Sequence, residues 1–236
     1  MRLSGRIGSV LPGPRSTPFS FWYLVLLVAT SITRHLLDPA TAQQLLTMAS
    51  SNTQNLADRP LLSLLTSALV LKGDDDWGLL VPLFLLAAAP LERRVGARWT
   101  LAVFAFGHVF ATLATELPAG WAQSTGRLPA ETAQWVDVGA SYGLFATAGA
   151  LMPILATRTR WWILPLVELA IVGLIFVEDP TAPLTIMTFA GHLIAFHSAI
   201  LVWWRLLRRR GLVATLRIPD LSVAQRDDAP PMKAST

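Results

Sequence analysis

Cysteine is absent from this chain, and charged residues are scarce. Without cysteine among its 236 residues, the protein can form neither a disulfide framework nor a thiolate metal site. Only 14% of the residues are charged, whereas 53% are hydrophobic, and the mean hydropathy is +0.50. Several runs of about 17 to 20 residues carry almost no charge, which is the length that a membrane-spanning helix needs. The composition therefore predicts a polytopic membrane protein with one membrane domain.

Lysine is also scarce, and the remaining basic residues are distributed unevenly. Lys72 and Lys233 are the only lysines, a bias towards arginine that is typical of a GC-rich bacterial genome. The net charge of +4 could indicate nucleic-acid binding, but the arginines are not gathered on one segment. They precede the first apolar run and follow the second, fourth and sixth, while acids fill most other connections. Positive connections mark the cytoplasmic side of a membrane protein, so we interpret the arginines as topology signals and expect no nucleic-acid partner.

The apolar runs predict an all-α, polytopic bundle of six transmembrane helices with both termini in the cytoplasm. They cover residues 19–37, 77–91, 99–117, 138–157, 161–177 and 184–204. Residues 1–18 then form a cytoplasmic N-terminal segment, residues 19–205 the membrane domain, and residues 206–236 a basic and then disordered cytoplasmic tail. We expect this multi-pass protein to lie in the lipid bilayer of the plasma membrane.

The N-terminus allows a second interpretation. A basic leader, an apolar run from Phe19 and the small residues Ala40-Thr41-Ala42 resemble a cleavable signal peptide, whose loss would leave five spans. The leader is long for that purpose, and Arg34 and His35 interrupt the approach to the cleavage site. These features favour a retained first helix.

The predicted connection between the first two helices, residues 38–76, is unusually long. Its apolar stretch 61–71 has about eleven residues, too few to span a membrane, and is predicted to be an interfacial or re-entrant helix. Three consecutive acids follow at 74–76. They could mark a divalent-cation site, but one acidic cluster without a second set of ligands is more typical of a solvated turn. We therefore predict no metal and no cofactor.

Ser141 and His192 are polar residues inside two of the apolar runs. Polar groups at membrane depth are costly and face a protein interior or a water-filled cavity, so they are candidates for function. Counting 1.5 Å per residue places Ser141 about 24 Å and His192 about 20 Å above the inner boundary of a roughly 30 Å core. The two side chains can therefore meet if their helices are neighbours. Small residues that permit close packing accompany them, namely Gly139, Ala140, Gly143, Ala146 and Gly149 on one helix and Gly191, Ala195 and Ala199 on the other.

A serine and a histidine within hydrogen-bond reach can act as nucleophile and base. The backbone N–H of Ser141 could then help to bind the oxyanion. The pair predicts a hydrolase that cuts within the bilayer. The same Gly-x-Ser-x-Gly run is also common as a packing seam between helices, whereas an α/β-hydrolase elbow would need a preceding strand and an acid partner that this sequence does not offer.

In their order, these motifs resemble the rhomboid intramembrane serine proteases. In that family a Gly-x-Ser motif opens the fourth helix in a run like GASGxxFGLxGA, and residues 139–150 read GASYGLFATAGA. The family's sixth-helix run AHxxGxxxG is similar to residues 191–199, with Ala195 and Ala199 in place of two glycines. Residues 64–67 and 91–96 resemble the family's RLLTS and LExxxG features. The resemblance covers about residues 20–205.

This resemblance implies a six-helix protease that cleaves the transmembrane helices of other proteins without a metal or cofactor. Ser141 would be the nucleophile and His192 its base. Phe145 would be the aromatic residue one turn after the serine, and Gly149 the packing glycine. Tyr142 occupies the position of the glycine that usually follows the serine, so its ring is expected beside the cleft.

Two family motifs are missing. Rhomboid proteases carry a His-x-x-x-Asn pair at the start of the second helix that helps to bind the oxyanion, and the aligned positions here are Trp77 and Val81. The Trp-Arg motif of the first loop is replaced by Leu62 and Ser63. These departures leave open a catalytically inactive rhomboid-like protein that binds transmembrane helices as a scaffold or quality-control factor.

A small transporter is the third class that the sequence allows. It would use Glu168, His108 and His197, which lie inside apolar runs. Otherwise we expect the two histidines to be packed or hydrogen-bonded in the core and Glu168 to be neutral or paired, because an isolated charge is costly there. No oligomeric state is predicted.

Overall fold

A computed structural model describes residues 11–176 and 179–211, and every regular element in these ranges is helical. The predicted disordered tail from residue 212 onwards, the basic residues of the first ten positions and Glu178 lie outside them. The α-helices are α1 Pro18–Leu36, α2 Pro39–Ala49, α3 Thr53–Asp58, α4 Pro60–Ser67, α5 Asp76–Leu83, α6 Ala89–Val95, α7 Ala97–Ser124, α8 Ser141–Leu151, α9 Thr157–Leu174 and α10 Pro183–Arg209. A π-helix, Phe84–Ala88, joins α5 to α6, and short 3₁₀ turns cover Ala130–Gln134 and Met152–Ile154.

The predicted all-α membrane fold is confirmed. Three helices are long and apolar enough to cross a membrane, namely α1, α7 and α10, and Ser141–Ile154 is a shorter apolar helix. The count of six spans remains a prediction. Several boundaries differ from the sequence prediction; in particular, α7 continues through Pro118, and α10 continues through Arg209 into the region expected to be tail.

The long first connection folds into short helices with local start signals. Asp38 accepts hydrogen bonds from the backbone N–H groups of Ala40 and Thr41, which caps α2. Asn52 caps α3 in the same way, and Pro60 opens α4. The apolar stretch expected at 61–71 is therefore helical only as far as Ser67.

Glu92 lies in α6 and joins this helix to the start of α1. Its buried carboxylate accepts hydrogen bonds from the backbone N–H of Phe19 at 2.7 Å and of Ser20 at 2.8 Å, and from the Ser20 hydroxyl at 2.7 Å. The first N–H groups of a helix have no partner within the helix and carry partial positive charge. The Glu92 carboxylate, from a distant part of the chain, therefore provides both the hydrogen-bond acceptor that these N–H groups lack and a negative charge beside their partial positive charge.

Helix α8 is the centre of the bundle. Every residue from Tyr142 to Leu151 is buried, because α7 and α10 pack closely on either side. The Cα of Gly149 lies so near α10 that an added Cβ would be 2.1 Å from the Phe196 carbonyl oxygen. Gly143 approaches α7 instead, since a Cβ there would meet the Phe104 ring at 2.3 Å. Of the expected packing residues, Gly149 thus faces Phe196 and Ala199 on α10, whereas Gly143 does not belong to that contact.

Gly149→Ala tests this close approach. We expect the variant to unfold with a free energy lower by about 1 to 3 kcal/mol, the usual range for overpacking, because the methyl group must push backbone away. Gly173→Ala on α9 is the matched control, since no atom lies within 4 Å of its added Cβ. It should be neutral or slightly stabilising in the same thermal-denaturation assay. Equal stability of both variants would contradict the packing described for α8.

Candidate active site

A cavity of about 300 Å³ opens at the end of the bundle where α8 begins. It is bounded by the start of α5, the middle of α7, the segment before α8, the end of α9 and the first half of α10. The lining includes Ser141 and His192 together with Asp75, Asp76, Leu79, Leu80, His108, Thr112, Asp137, Gly139, Tyr142, Ile175, Thr185 and Thr188.

Ser141 is the first residue of α8, and the segment before it fixes its position. Gly139 has φ +136°, a conformation that a side chain rarely permits, and its N–H donates to the Ser67 carbonyl at 2.8 Å. The predicted fourth helix therefore begins three residues later than expected. Because Ala140 is the N-cap, the N–H groups of the first turn have no partner within the helix and can bind an anion.

His192 meets Ser141 across the helix interface. Its Nε2 lies 2.9 Å from the Ser141 hydroxyl oxygen, and the residue is only 4% exposed. His192 Nδ1 has no hydrogen-bond partner among the described residues, so no carboxylate completes a triad there. With the hydrogen on Nδ1, Nε2 is free to accept the serine proton.

Two aromatic rings pack against the His192 imidazole. They fix its position, a role that the third polar residue of a catalytic triad would otherwise have. The Phe145 ring lies 4.7 Å and the Tyr142 ring 5.3 Å from the His192 ring, centre to centre. Gly191 makes room for Tyr142, because an added Cβ would be 2.4 Å from the tyrosine ring. Tyr142 thus packs against the histidine beside the serine and lines the cavity as part of its wall.

The start of α5 presents residues other than those expected beside the serine. Trp77 and Val81 do not line the cavity: Trp77 packs against the cluster around Tyr23, and Val81 is exposed. At the same spacing of four, Asp76 and Leu80 face the cavity instead. Successive residues of a helix are rotated by 100° about its axis. Placing the family's His-x-x-x-Asn pair at Trp77 rather than at Asp76 therefore selected a face of α5 that does not line the cavity.

Neither cavity-facing residue replaces the missing donor pair. The Asp76 carboxylate accepts hydrogen bonds from the N–H groups of Lys72 and Gly73, and Leu80 is apolar and buried. Side-chain donors for an oxyanion are therefore absent at these two positions of α5.

His108 links the long segment between α1 and α5 to α7. Its Nε2 lies 2.9 Å from the Leu64 carbonyl and 3.2 Å from the Ser67 hydroxyl. As expected for a hydrogen-bonded core residue, it fixes α4 against α7, and it also borders the cavity. Glu168 and His197 form a separate pair at 3.1 Å between α9 and α10.

Asp137 is a cavity residue that the sequence did not single out. Its carboxylate lies 3.2 Å from the Ser51 hydroxyl. Burial raises the pKa of Asp137 to about 6, against the opposing effects of the Ser51 hydrogen bond and the positive charge of Lys72. Ser50 and Ser51 bind the backbone of the same segment, so contacts over more than eighty residues position the approach to Ser141. No short sequence motif could reveal such a contact.

The acids at 74–76 point in different directions. Asp74 binds Arg34 at 3.2 Å and His35 at 2.9 Å, while Asp76 closes its own turn. Among the described residues no group of three or more His, Cys, Asp or Glu could hold a metal ion.

The family follows from comparison with known proteins. A family model described as "Rhomboid-like protein" matches residues 14–206. The chain therefore belongs to the rhomboid-like protein family, and it is a membrane protein of that type. No curated protein and no solved structure matches it.

Proposed function

We propose that this rhomboid-like membrane protein is an intramembrane serine endopeptidase that cleaves the transmembrane helices of other proteins. The observation that carries the proposal is the 2.9 Å contact between Ser141 Oγ and His192 Nε2, inside a cavity at the first turn of α8. The contact has the length of a nucleophile–base hydrogen bond. The cavity provides a place for a scissile peptide beside it.

The geometry supports the following reaction. Ser141 Oγ attacks the scissile carbonyl carbon while His192 Nε2 takes the hydroxyl proton, and the carbonyl oxygen becomes an oxyanion. Backbone N–H groups at the first turn of α8 stabilise that charge. The tetrahedral intermediate then collapses, the C–N bond breaks, and His192 gives its proton to the leaving amine. Water hydrolyses the acyl-enzyme by the reverse sequence, which restores the serine.

Cleavage of a transmembrane substrate tests this proposal. Purified protein in liposomes is incubated with a single-span peptide, and the products are identified by mass spectrometry. Wild-type protein should cut the peptide within or next to its apolar segment, and Ser141→Ala should leave it intact. If wild-type protein also leaves a panel of such peptides intact, the proposed function fails.

The second candidate is a non-catalytic protein that binds transmembrane helices as a scaffold or quality-control factor. The apolar Leu80 at the cavity favours it, because a side-chain oxyanion donor is missing from that wall. Co-purification of membrane partners with protein that has no cleavage activity would support this alternative.

Leu80→Asn distinguishes the two candidates. If the site hydrolyses peptides, an amide group on the cavity wall should raise the cleavage rate by about tenfold, less than the 10²–10³-fold that loss of an established oxyanion donor costs. Val81→Asn is the control, because Val81 does not line the cavity, and it should leave the rate unchanged. An equal effect of both substitutions would argue against oxyanion binding at Leu80.

We also propose that the protein lies in the plasma membrane with both termini in the cytoplasm. The arginine-rich connections support this orientation. Because the chain has no cysteine, a single introduced cysteine can report its own side. In intact cells, a membrane-impermeant maleimide should label Thr41→Cys but not Arg158→Cys. Labelling of Arg158→Cys in unbroken cells would reverse the topology.

A further inference from the structure

Glu168 on α9 and His197 on α10 form a polar pair that the proposed reaction does not use. Neither residue lines the cavity at Ser141. Glu168 Oε1 lies 3.1 Å from His197 Nε2, and the two side chains are 41% and 46% exposed. The pair therefore lies on the outer surface of the bundle.

Both residues lie well inside their helices. Counting 1.5 Å per residue, His197 is about 21 Å from the start of α10 and Glu168 about 17 Å from the start of α9. The surface around them is apolar and exposed, with Leu169 and Val172 on α9 and Leu201 on α10. Because α10 is long and apolar enough to cross a membrane, we expect this surface to face lipid tails near the middle of the bilayer, where ionisable residues are rare and normally point inwards.

The hydrogen bonds of Glu168 and His197 show which of their polar atoms has no partner. His197 Nδ1 lies 2.9 Å from the Leu193 carbonyl, so that nitrogen carries a hydrogen. One further proton is shared between His197 Nε2 and Glu168 Oε1, and the pair is neutral overall whichever atom holds it. Both imidazole nitrogens are then satisfied, whereas Glu168 Oε2 accepts no hydrogen bond from the described residues. The unmet requirement is a hydrogen-bond donor.

A groove lies further along α10 and begins three residues after His197. It is lined by Ile200, Leu201, Val202, Trp204 and Arg205. Leu201, Trp204 and Arg205 follow His197 by four, seven and eight residues, which places them on the same helix face. Arg160 of α9 stacks over the Trp204 ring of the groove at 4.7 Å. Apart from Arg205 the residues that line the groove are apolar, and the Glu168 carboxylate provides a hydrogen-bond acceptor on the neighbouring surface.

We infer that this surface, formed by Glu168, His197, Leu201, Trp204 and Arg205, is a docking site for a transmembrane helix of another protein that carries a neutral hydrogen-bond donor near its midpoint. Ser, Thr, Asn or Gln provides such a donor, and these side chains bind across helices in membranes. A neutral donor suits the neutral pair better than a cation does, because it leaves no net charge in the lipid. The site lies apart from the Ser141 cavity, so it binds whether or not the bound protein is cut.

The binding test uses the full chain with Ser141→Ala, so that no probe is cleaved. The probes are Leu-based spanning peptides of about 20 residues with Gln or Leu at the centre, each fluorescently labelled. Energy transfer to labelled protein in phosphatidylcholine vesicles measures binding. The peptides are kept so dilute that a mixture of differently labelled probes shows no transfer between them.

The Gln peptide should bind about three- to tenfold more tightly than the Leu peptide, the gain expected for an interhelical hydrogen bond. Glu168→Leu should abolish this preference, and Glu168→Gln, which keeps an acceptor oxygen, should retain part of it. Leu166→Ala is the matched control: Leu166 is also exposed on α9 but lies about 200° around the helix from Glu168. That variant should keep the full preference.

Three results would overturn the inference. The first is equal binding of the Gln and Leu peptides. The second is a Gln preference that survives Glu168→Leu in protein of unchanged thermal stability. The third is self-association of this chain that Glu168→Leu removes, since the occupant would then be a second copy. Failure of peptide cleavage leaves all three readouts intact, so it is distinguished from failure of docking.

Discussion

Replacing Ser141 by alanine is expected to lower the rate of transmembrane-peptide cleavage by at least about a thousandfold, because the attacking oxygen is lost. His192→Ala should cause a loss of similar size, since the serine then keeps its proton. The double variant should be little worse than either single variant, because nucleophile and base act as one unit. Initial rates of the three variants in the same liposomes measure this.

Ser198→Ala is the control for this prediction. Ser198 is a hydroxyl residue of α10, and its oxygen lies 3.3 Å from the Ala195 carbonyl, away from the cavity. Its loss should leave the rate within about twofold, as for substitutions outside functional features. Losses from Ser141→Ala and His192→Ala that multiply in the double variant would show that the two residues act independently, contrary to the proposed nucleophile–base pair.

Glu92→Ala is expected to cause the largest loss of stability. The substitution leaves two backbone N–H groups and one hydroxyl at the start of α1 without an acceptor. Each unsatisfied buried group costs about 1 to 3 kcal/mol, and the helix terminus also loses a favourable negative charge. We therefore expect the free energy of unfolding to fall by about 3 kcal/mol or more.

Glu92→Gln and Glu131→Ala complete this test in the same denaturation assay. The glutamine keeps one acceptor oxygen and should lose less stability than the alanine. Glu131 is exposed in the segment before α8, so its replacement should change the free energy of unfolding by no more than about 0.5 kcal/mol. If Glu92→Ala is no less stable than Glu131→Ala, the carboxylate does not hold α1 to α6.

Much of the fold could be predicted because membrane helices leave a strong pattern in sequence. Length and hydropathy identified the apolar runs, and their all-helical nature is confirmed. Counting along the helices also predicted Ser141 and His192 at one level, which is why a contact could be expected between residues 51 positions apart. The family resemblance rested on motif order, and the match over residues 14–206 confirms it.

The start of α5 shows where sequence reasoning was not enough. Trp77 was selected by alignment, but Asp76 and Leu80 face the cavity. Hydropathy could not correct this, since the whole segment is apolar after the acids and has no polar face to mark its orientation. A shift of one residue rotates the selected face by about 100°.

The polar contacts across the bundle were equally hard to predict. Asp137 and Ser51 lie 86 residues apart, and Glu92 and Ser20 lie 72 apart. Glu168 was expected to be neutral or paired, and the structure places His197 beside it. The choice of partner depends on which helices are neighbours and how each is rotated, and a single sequence does not encode either in a short pattern.

Labelling with a fluorophosphonate probe tests the central claim most directly. Detergent-solubilised protein is treated with the probe, and the modified residue is identified by peptide mass spectrometry. A serine activated by a neighbouring histidine attacks phosphorus, whereas an ordinary hydroxyl group does not do so at a measurable rate. We predict one adduct, on Ser141, that is lost in Ser141→Ala and strongly reduced in His192→Ala. Wild-type protein that remains unmodified while it is folded would contradict an activated serine at this site.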